Sequence, residues 1–72
     1  MTFQERMLQL RRTARITQDE LAEYIGYSSN AVQNWERGKS TPTIDAAGKL
    51  ADFFGVSIDY LTGRTNKKRP SE

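Results

Sequence analysis

Residues 17–39 read Thr17-Gln18-Asp19-Glu20-Leu21-Ala22-Glu23-Tyr24-Ile25-Gly26-Tyr27-Ser28-Ser29-Asn30-Ala31-Val32-Gln33-Asn34-Trp35-Glu36-Arg37-Gly38-Lys39. Thr17 stands three residues before Glu20, a capping box in which each end of the pair satisfies a backbone donor of the other. Asp19 and Glu20 fall in the first turn, where the helix dipole favours negative charge. Leu21, Ala22 and Ile25 form one apolar stripe at helical spacing. Gly26 then ends the helix, since glycine takes a positive φ without a Cβ clash. A second helix starts at once, capped by Ser28 or Ser29. Its apolar positions are Ala31, Val32 and Trp35, and Val32 and Trp35 share a face. Gly38 ends it and Pro42 blocks continuation. The small Ala22 lets the second helix cross close to the first.

The remaining face of the second helix carries Ser29, Asn30, Gln33 and Asn34. Polar helix faces usually mean solvation alone. Two features argue against that here. From Ser28 to Asn34 there is no Lys, Arg, Asp or Glu, and amide or cationic residues flank the face at Gln18, Arg37 and Lys39. Side-chain amides are suited to adenine in the major groove, where a good bidentate pair discriminates by about 1–3 kcal/mol. The stretch therefore predicts a helix-turn-helix that reads double-stranded DNA.

The flanking residues extend the pattern. Thr2 and Glu5 predict a second capping box, at the start of a first helix from Thr2 to Ala14. Phe3, Met7, Leu10 and Ala14 line one face of it. Residues 38–43 read as a loop. Thr43 caps a fourth helix, Ile44 to Phe54, with Ile44, Ala47, Leu50, Ala51 and Phe54 facing inward. Gly48 lies in its middle, at a cost of about 1 kcal/mol relative to Ala, which close helix packing would explain. Gly55 ends that helix, and Ser57 caps a short fifth one through Leu61 or Thr62, ended by Gly63. No segment alternates with period two, so no strand is expected. The expectation is an all-α, compact five-helix domain over residues 1–63. The tail 64–72 lacks apolar residues and is expected to be disordered, a linker or solvated end in preference to an added phosphate contact.

Composition excludes several classes. Seventy-two residues make one small domain, which buries only about 60% of its unfolded surface. There is no Cys and no His, so there is neither thiol chemistry nor the commonest general base and metal ligand. No metal or other cofactor is expected. Asp19, Glu20 and Glu23 have no partner arrangement for acid–base work, so no catalytic residue is assigned. No apolar run approaches the roughly 20 residues of a membrane span, and no signal peptide is visible, so a cytoplasmic protein is expected. The net charge of +2 is uneven, because the tail holds Arg64, Lys67, Lys68 and Arg69 against Glu72. Residues 1–63 then hold seven basic and eight acidic side chains, a net charge of −1. Charge alone does not argue for nucleic acid. Local placement has to do so, with Arg12, Arg15, Arg37 and Lys39 near DNA and Asp45, Asp52 and Asp59 away from it.

The string resembles the phage repressor and Cro family, also called the xenobiotic-response-element helix-turn-helix family. The matching residues run from Arg6, Met7, Leu10 and Arg11 through Thr17-Gln18, Glu20-Leu21-Ala22, Ile25-Gly26, Ser28 and Val32. They continue through Trp35-Glu36-Arg37-Gly38-Lys39, Pro42, Leu50-Ala51, Phe54 and Val56 to Asp59-Tyr60-Leu61. The resemblance covers about residues 2 to 63. It implies a lambda-repressor-like domain with helices 2 and 3 as the motif and helix 3 in the major groove. It makes Ser29, Asn30, Gln33 and Asn34 the base readers. Gln18 looks like the family's phosphate-contacting glutamine, which also braces the recognition helix. Arg37, Lys39 and Ser40 look like phosphate contacts beyond that helix. Thr17 and Ser28, at the two helix starts, join the phosphate-facing set. Tyr27 is either a phosphate donor or an ordinary surface residue. Trp35 belongs to the core.

Arg11 and Glu36 look like a structural pair tying the first helix to the third. Arg15 stands where the family usually has Gly. It is expected at positive φ, or with the first helix ending differently, and as an extra phosphate contact. Val56, Ile58 and Tyr60 fall where the family often forms its two-fold contact. The implied protein is a bacterial or phage regulator, a repressor binding a palindromic operator as a homodimer. A rival reading is a protein-interaction module or antitoxin that acts through a regulatory protein partner.

Overall fold

Five side-chain oxygens start the five helices. In a computed structural model, which describes residues 1–69, these are α1 (Phe3–Ala14), α2 (Gln18–Ile25), α3 (Ser29–Arg37), α4 (Ile44–Phe54) and α5 (Ile58–Leu61). Thr2, Thr17, Ser28, Thr43 and Ser57 each accept from the backbone N–H three residues on, at 3.0–3.3 Å. Thr2 and Thr17 are capping boxes in full, since the Glu5 and Glu20 carboxylates accept the Thr2 and Thr17 N–H at 3.0 Å. Such a cap is worth about 1 kcal/mol over Ala.

The caps hold the ends, and burial holds the bundle. Met7, Leu21, Val32, Leu50 and Leu61 are wholly inaccessible, and Ala22, Ile25, Trp35, Ala46 and Ala51 complete the core. α2 packs on α3 and α4, α1 on α3 and α5, and α4 on α5. The Cα radius of gyration is 11.1 Å, close to the roughly 11 Å expected of a chain this long.

Three expectations are corrected. Ile44 does not face inward, being 89% exposed, and Ala46 takes its place in the core. At about 100° per residue, the arc through Ala46, Ala47, Leu50 and Ala51 leaves Ile44 about a quarter-turn to one side. Ala14 is likewise exposed, and Arg6 is the second buried residue of α1 beside Met7. Gly48 is not explained by close packing, because a Cβ there would meet nothing within 4 Å.

The described part of the tail makes contacts that its composition does not signal. The first six tail residues, 64–69, fold back on the body. Arg64 N–H donates to Asp59 O at 2.9 Å and Ser57 N–H to Lys68 O at 2.7 Å. Arg69 Nε donates to Gly55 O at 3.3 Å. Arg6 Nη2 donates to Asn66 Oδ1 at 3.3 Å while the guanidinium lies 3.6 Å over the Tyr60 ring. Backbone groups at the start of α5 and a buried guanidinium thus supply the partners that apolar side chains would otherwise supply. The rest of the tail, Pro70, Ser71 and Glu72, lies outside the described residues. Where the tail departs, Gly63 has φ +83°, and a Cβ there would stand 1.9 Å from Met1 O, so the close passage of the two segments requires glycine. No helix among the described residues is long and apolar enough to cross a membrane.

Candidate nucleic-acid interface

The turn that joins α2 to α3 is three residues long. Gly26 takes φ 76° and ψ 29°, and Tyr27 N–H returns to Ala22 O at 2.9 Å. This left-handed closure satisfies the last carbonyls of α2 and throws α3 across it. Ser28, rather than Ser29, caps α3. The back of α3 is held by Val32 and Trp35, 0% and 4% exposed, with the Tyr27 ring 5.6 Å from that of Trp35.

The front of α3 is the polar face read from the sequence. Asn30 is exposed, and Ser29, Gln33 and Asn34 are half-buried. Among the described residues, the side chains of Asn30, Gln33, Asn34, Arg37, Lys39 and Ser40 make no hydrogen bond or ion pair within the protein. Their donors and acceptors are open to a ligand. Ser29 differs, because its hydroxyl donates to the Asp19 carboxylate at the start of α2. Sequence reasoning placed Asp19 only as a helix-start acid. The contact joins residues ten apart through the turn, so nothing in the linear pattern signals it.

Arg11 and Glu36 are paired. Arg11 Nε and Nη2 reach Glu36 Oε2 and Oε1 at 2.6 and 3.0 Å, a two-point charge-assisted contact. Arg11 Nη1 also donates to Ile16 O at 3.0 Å. Gln18 Nε2 donates to the same Glu36 at 3.0 Å. One carboxylate thus fixes the end of α3 to α1 and to the start of α2. It also leaves Gln18 Oε1 and one amide hydrogen for an outside group. Thr17 and Ser28 use an oxygen lone pair in capping and keep the hydroxyl proton for another acceptor.

Arg15 adopts φ 58° and ψ 42°, the left-handed conformation expected from the family's glycine at that place, and its side chain is exposed. Tyr27 is not a free phosphate donor. Its hydroxyl donates to Asp45 Oδ2 at 2.9 Å, and Lys49 Nζ stands 3.4 Å from the same oxygen. That hydrogen bond, then the Lys49 charge, hold the Asp45 carboxyl below its ordinary pKa. Of the three residues assigned to a two-fold contact, Val56 packs against the core and Tyr60 is half-buried beneath Arg6. Only Ile58 is exposed, at 43%. It borders one shallow groove with Ile44, Phe3, Pro42 and Ala47. Sequence reasoning missed Ile44 because it assigned that side chain to the core.

Known proteins share this sequence pattern and this fold. A family model described as helix-turn-helix matches residues 7–61. The HTH-type transcriptional activator BcrR of Enterococcus faecalis is 39% identical over 61 residues, which are 85% of this chain and 30% of that protein. The HTH-type transcriptional regulator ImmR of Bacillus subtilis is 33% identical over the whole chain, 57% of its own length. The cryptic phage CTXphi transcriptional repressor RstR of Vibrio cholerae is 36% identical over 89% of this chain and 57% of its own. The chain thus spans between 30% and 57% of the length of these curated relatives. Among solved structures, the P22 c2 repressor in complex with a synthetic operator superposes with a TM-score of 0.85 at 28% identity, covering 90% of this chain and 98% of that one. Family match, relatives and shared architecture agree, and the chain belongs to the helix-turn-helix family, of the phage-repressor type that its sequence resembles.

Proposed function

We propose that the protein is a sequence-specific DNA-binding transcriptional regulator, acting as a repressor on a palindromic operator. The observation that carries this reading is the row of unpartnered amides, Asn30, Gln33 and Asn34, on a helix whose opposite face is anchored by Val32 and Trp35. A rigid helix with free amides on its outer face is what reading base edges requires. Asn30 and Gln33 take adenine contacts. Gln18, Thr17, Ser28, Arg37, Lys39, Ser40 and Arg15 set the register on phosphates, which position without specifying sequence. Relatives named as regulators and a repressor solved with its operator support the reading.

A homodimer would set two recognition helices about 34–36 Å apart, one DNA turn. The exposed Ile44 and Ile58 beside their shared groove support a two-fold contact at that end of the domain.

Selection of sites from a random duplex library at about 0.1 M salt tests this, because specific and merely electrostatic binding separate there. The expected product is an inverted repeat with half-sites about 10–10.5 base pairs apart. Enrichment of nothing, with only salt-sensitive retention, rejects operator reading and favours the rival, a module that binds a protein partner. Arg15→Ala is expected to reduce the salt slope, and an unchanged slope removes Arg15 from the phosphate set.

A further inference from the structure

We infer that Asp19 determines which base the recognition helix accepts at Ser29, by holding the serine hydroxyl as an acceptor only. The inference rests on the DNA-binding reading proposed above. A serine hydroxyl has one proton and two lone pairs, and its proton normally rotates to suit the partner. Ser29 therefore carries no base preference of its own. In this protein Ser29 Oγ donates to Asp19 Oδ1. A carboxylate is an acceptor only, which fixes the direction of the bond. The serine proton is spoken for, and only lone pairs face outward.

The edges of the major groove then sort themselves. Adenine N6 and cytosine N4 carry hydrogens to give, whereas guanine O6 and N7 and thymine O4 only accept. Ser29 held by Asp19 suits adenine or cytosine and confronts guanine or thymine with acceptor against acceptor. The nearby carboxylate charge works in the same direction.

The helix caps and the core are complete without this contact. Ser28 performs the capping at this turn and Glu20 completes the capping box of α2. Asp19 is exposed and Ser29 half-buried, outside the core. Among the described residues Asp19 has no cation within ion-pair distance. Its one side-chain partner is the hydroxyl at the reading surface.

Three variants test the inference on duplexes that differ at the position whose preference Ser29→Ala alters. The wild type is expected to favour adenine or cytosine there over guanine or thymine by about threefold to tenfold, the range of one hydrogen bond. Asp19→Ala frees the serine proton, and the ratio is expected to fall to within about twofold. Asp19→Asn retains an oxygen that accepts the serine proton and loses the charge. Without the charge, and with an amide NH2 that can also turn to Ser29, it is expected to keep only part of the ratio while tightening binding to every sequence. Matching helical signal, and melting temperatures well above the assay temperature, show that the three variants are folded. The inference is overturned if Asp19→Ala keeps the wild-type ratio, if the wild type prefers guanine or thymine at that position, or if no position responds to Ser29→Ala. A wild type that selects no sequence at all removes the DNA-binding reading and this inference with it. A selected operator that is indifferent to Asp19→Ala removes the inference alone.

Discussion

Replacing Arg11 by Met keeps the aliphatic stem and removes three hydrogen bonds at one point: two to Glu36 at 2.6 and 3.0 Å and one to Ile16 O at 3.0 Å. The Glu36 side chain is 6% accessible, so water replaces only part of what is lost. Its carboxylate is left with the single Gln18 amide. Removing one partner of a buried pair costs about 3–5 kcal/mol, because the other charge stays behind. Arg11 retains 16% access, which places this pair at the lower end, about 3 kcal/mol. A domain of this size is stable by only roughly 4–10 kcal/mol. At about 4–8 °C per kcal/mol, the melting temperature falls by about 12–24 °C. Trp35, the lone tryptophan and 4% exposed, reports the transition by fluorescence. The double replacement Arg11→Met with Glu36→Gln leaves no orphaned charge and is expected to recover about half of the loss. A loss below about 1 kcal/mol for Arg11→Met, or a double variant as unstable as the sum of the singles, refutes the reasoning.

The other expectations are of different kinds. Gly48→Ala meets open space in a helix of ordinary φ, so it should stabilise by about 1 kcal/mol and raise the melting temperature by about 4–8 °C; no gain in thermal unfolding would reveal a packing constraint. Arg37→Ala and Lys39→Ala should each lower the salt slope of DNA binding by about 1 and weaken all sequences uniformly, and a change confined to one base pair would contradict their role as phosphate contacts. Glu5 is held below its ordinary pKa by the Thr2 backbone and hydroxyl, and Asp45 by the Tyr27 hydroxyl and then Lys49. With folded values below unfolded ones, these carboxyls contribute stability that is present above the ordinary value of about 4 and is lost as pH falls through the folded value. Tyr27→Phe should shrink that acid-side loss, as read from urea midpoints between about pH 5 and 2, and an unchanged pH profile would show that the hydrogen bond has no part in it.

Legibility followed the range of the interactions. Thr2 with Glu5 and Thr17 with Glu20 span three residues, so pattern alone locates the starts of α1 and α2. Gly26, Gly38 and Gly55 mark helix ends for the same local reason. The polar face of α3 was readable because it lacked charge. Ile44 was misread because a helical stripe gives a face but not its edge, and a first-turn residue there projects past the core. The Tyr27 hydroxyl bond to Asp45 and the Asp19 contact to Ser29 cross from one helix to another. No spacing rule encodes such contacts, which depend on the angle the Gly26 turn imposes. Composition reports only the tail's lack of apolar burial, whereas the contacts of residues 64–69 are made mainly by backbone carbonyls, backbone N–H groups and the Arg6 guanidinium.

Helices that carry their own start signals have a kinetic meaning. Each of the five begins with a contact made inside one turn of chain. Little loop-closure entropy has to be overcome before a segment knows where it starts. Helical domains dominated by local contacts refold in microseconds to milliseconds, orders of magnitude faster than sandwich folds of equal stability. The Arg11–Glu36 clasp spans 25 residues and is expected to close after that barrier. Its loss should therefore appear as faster unfolding with nearly unchanged refolding. A chain built this way is expected to regain its shape promptly after each opening, with the clasp among the contacts that make openings rare.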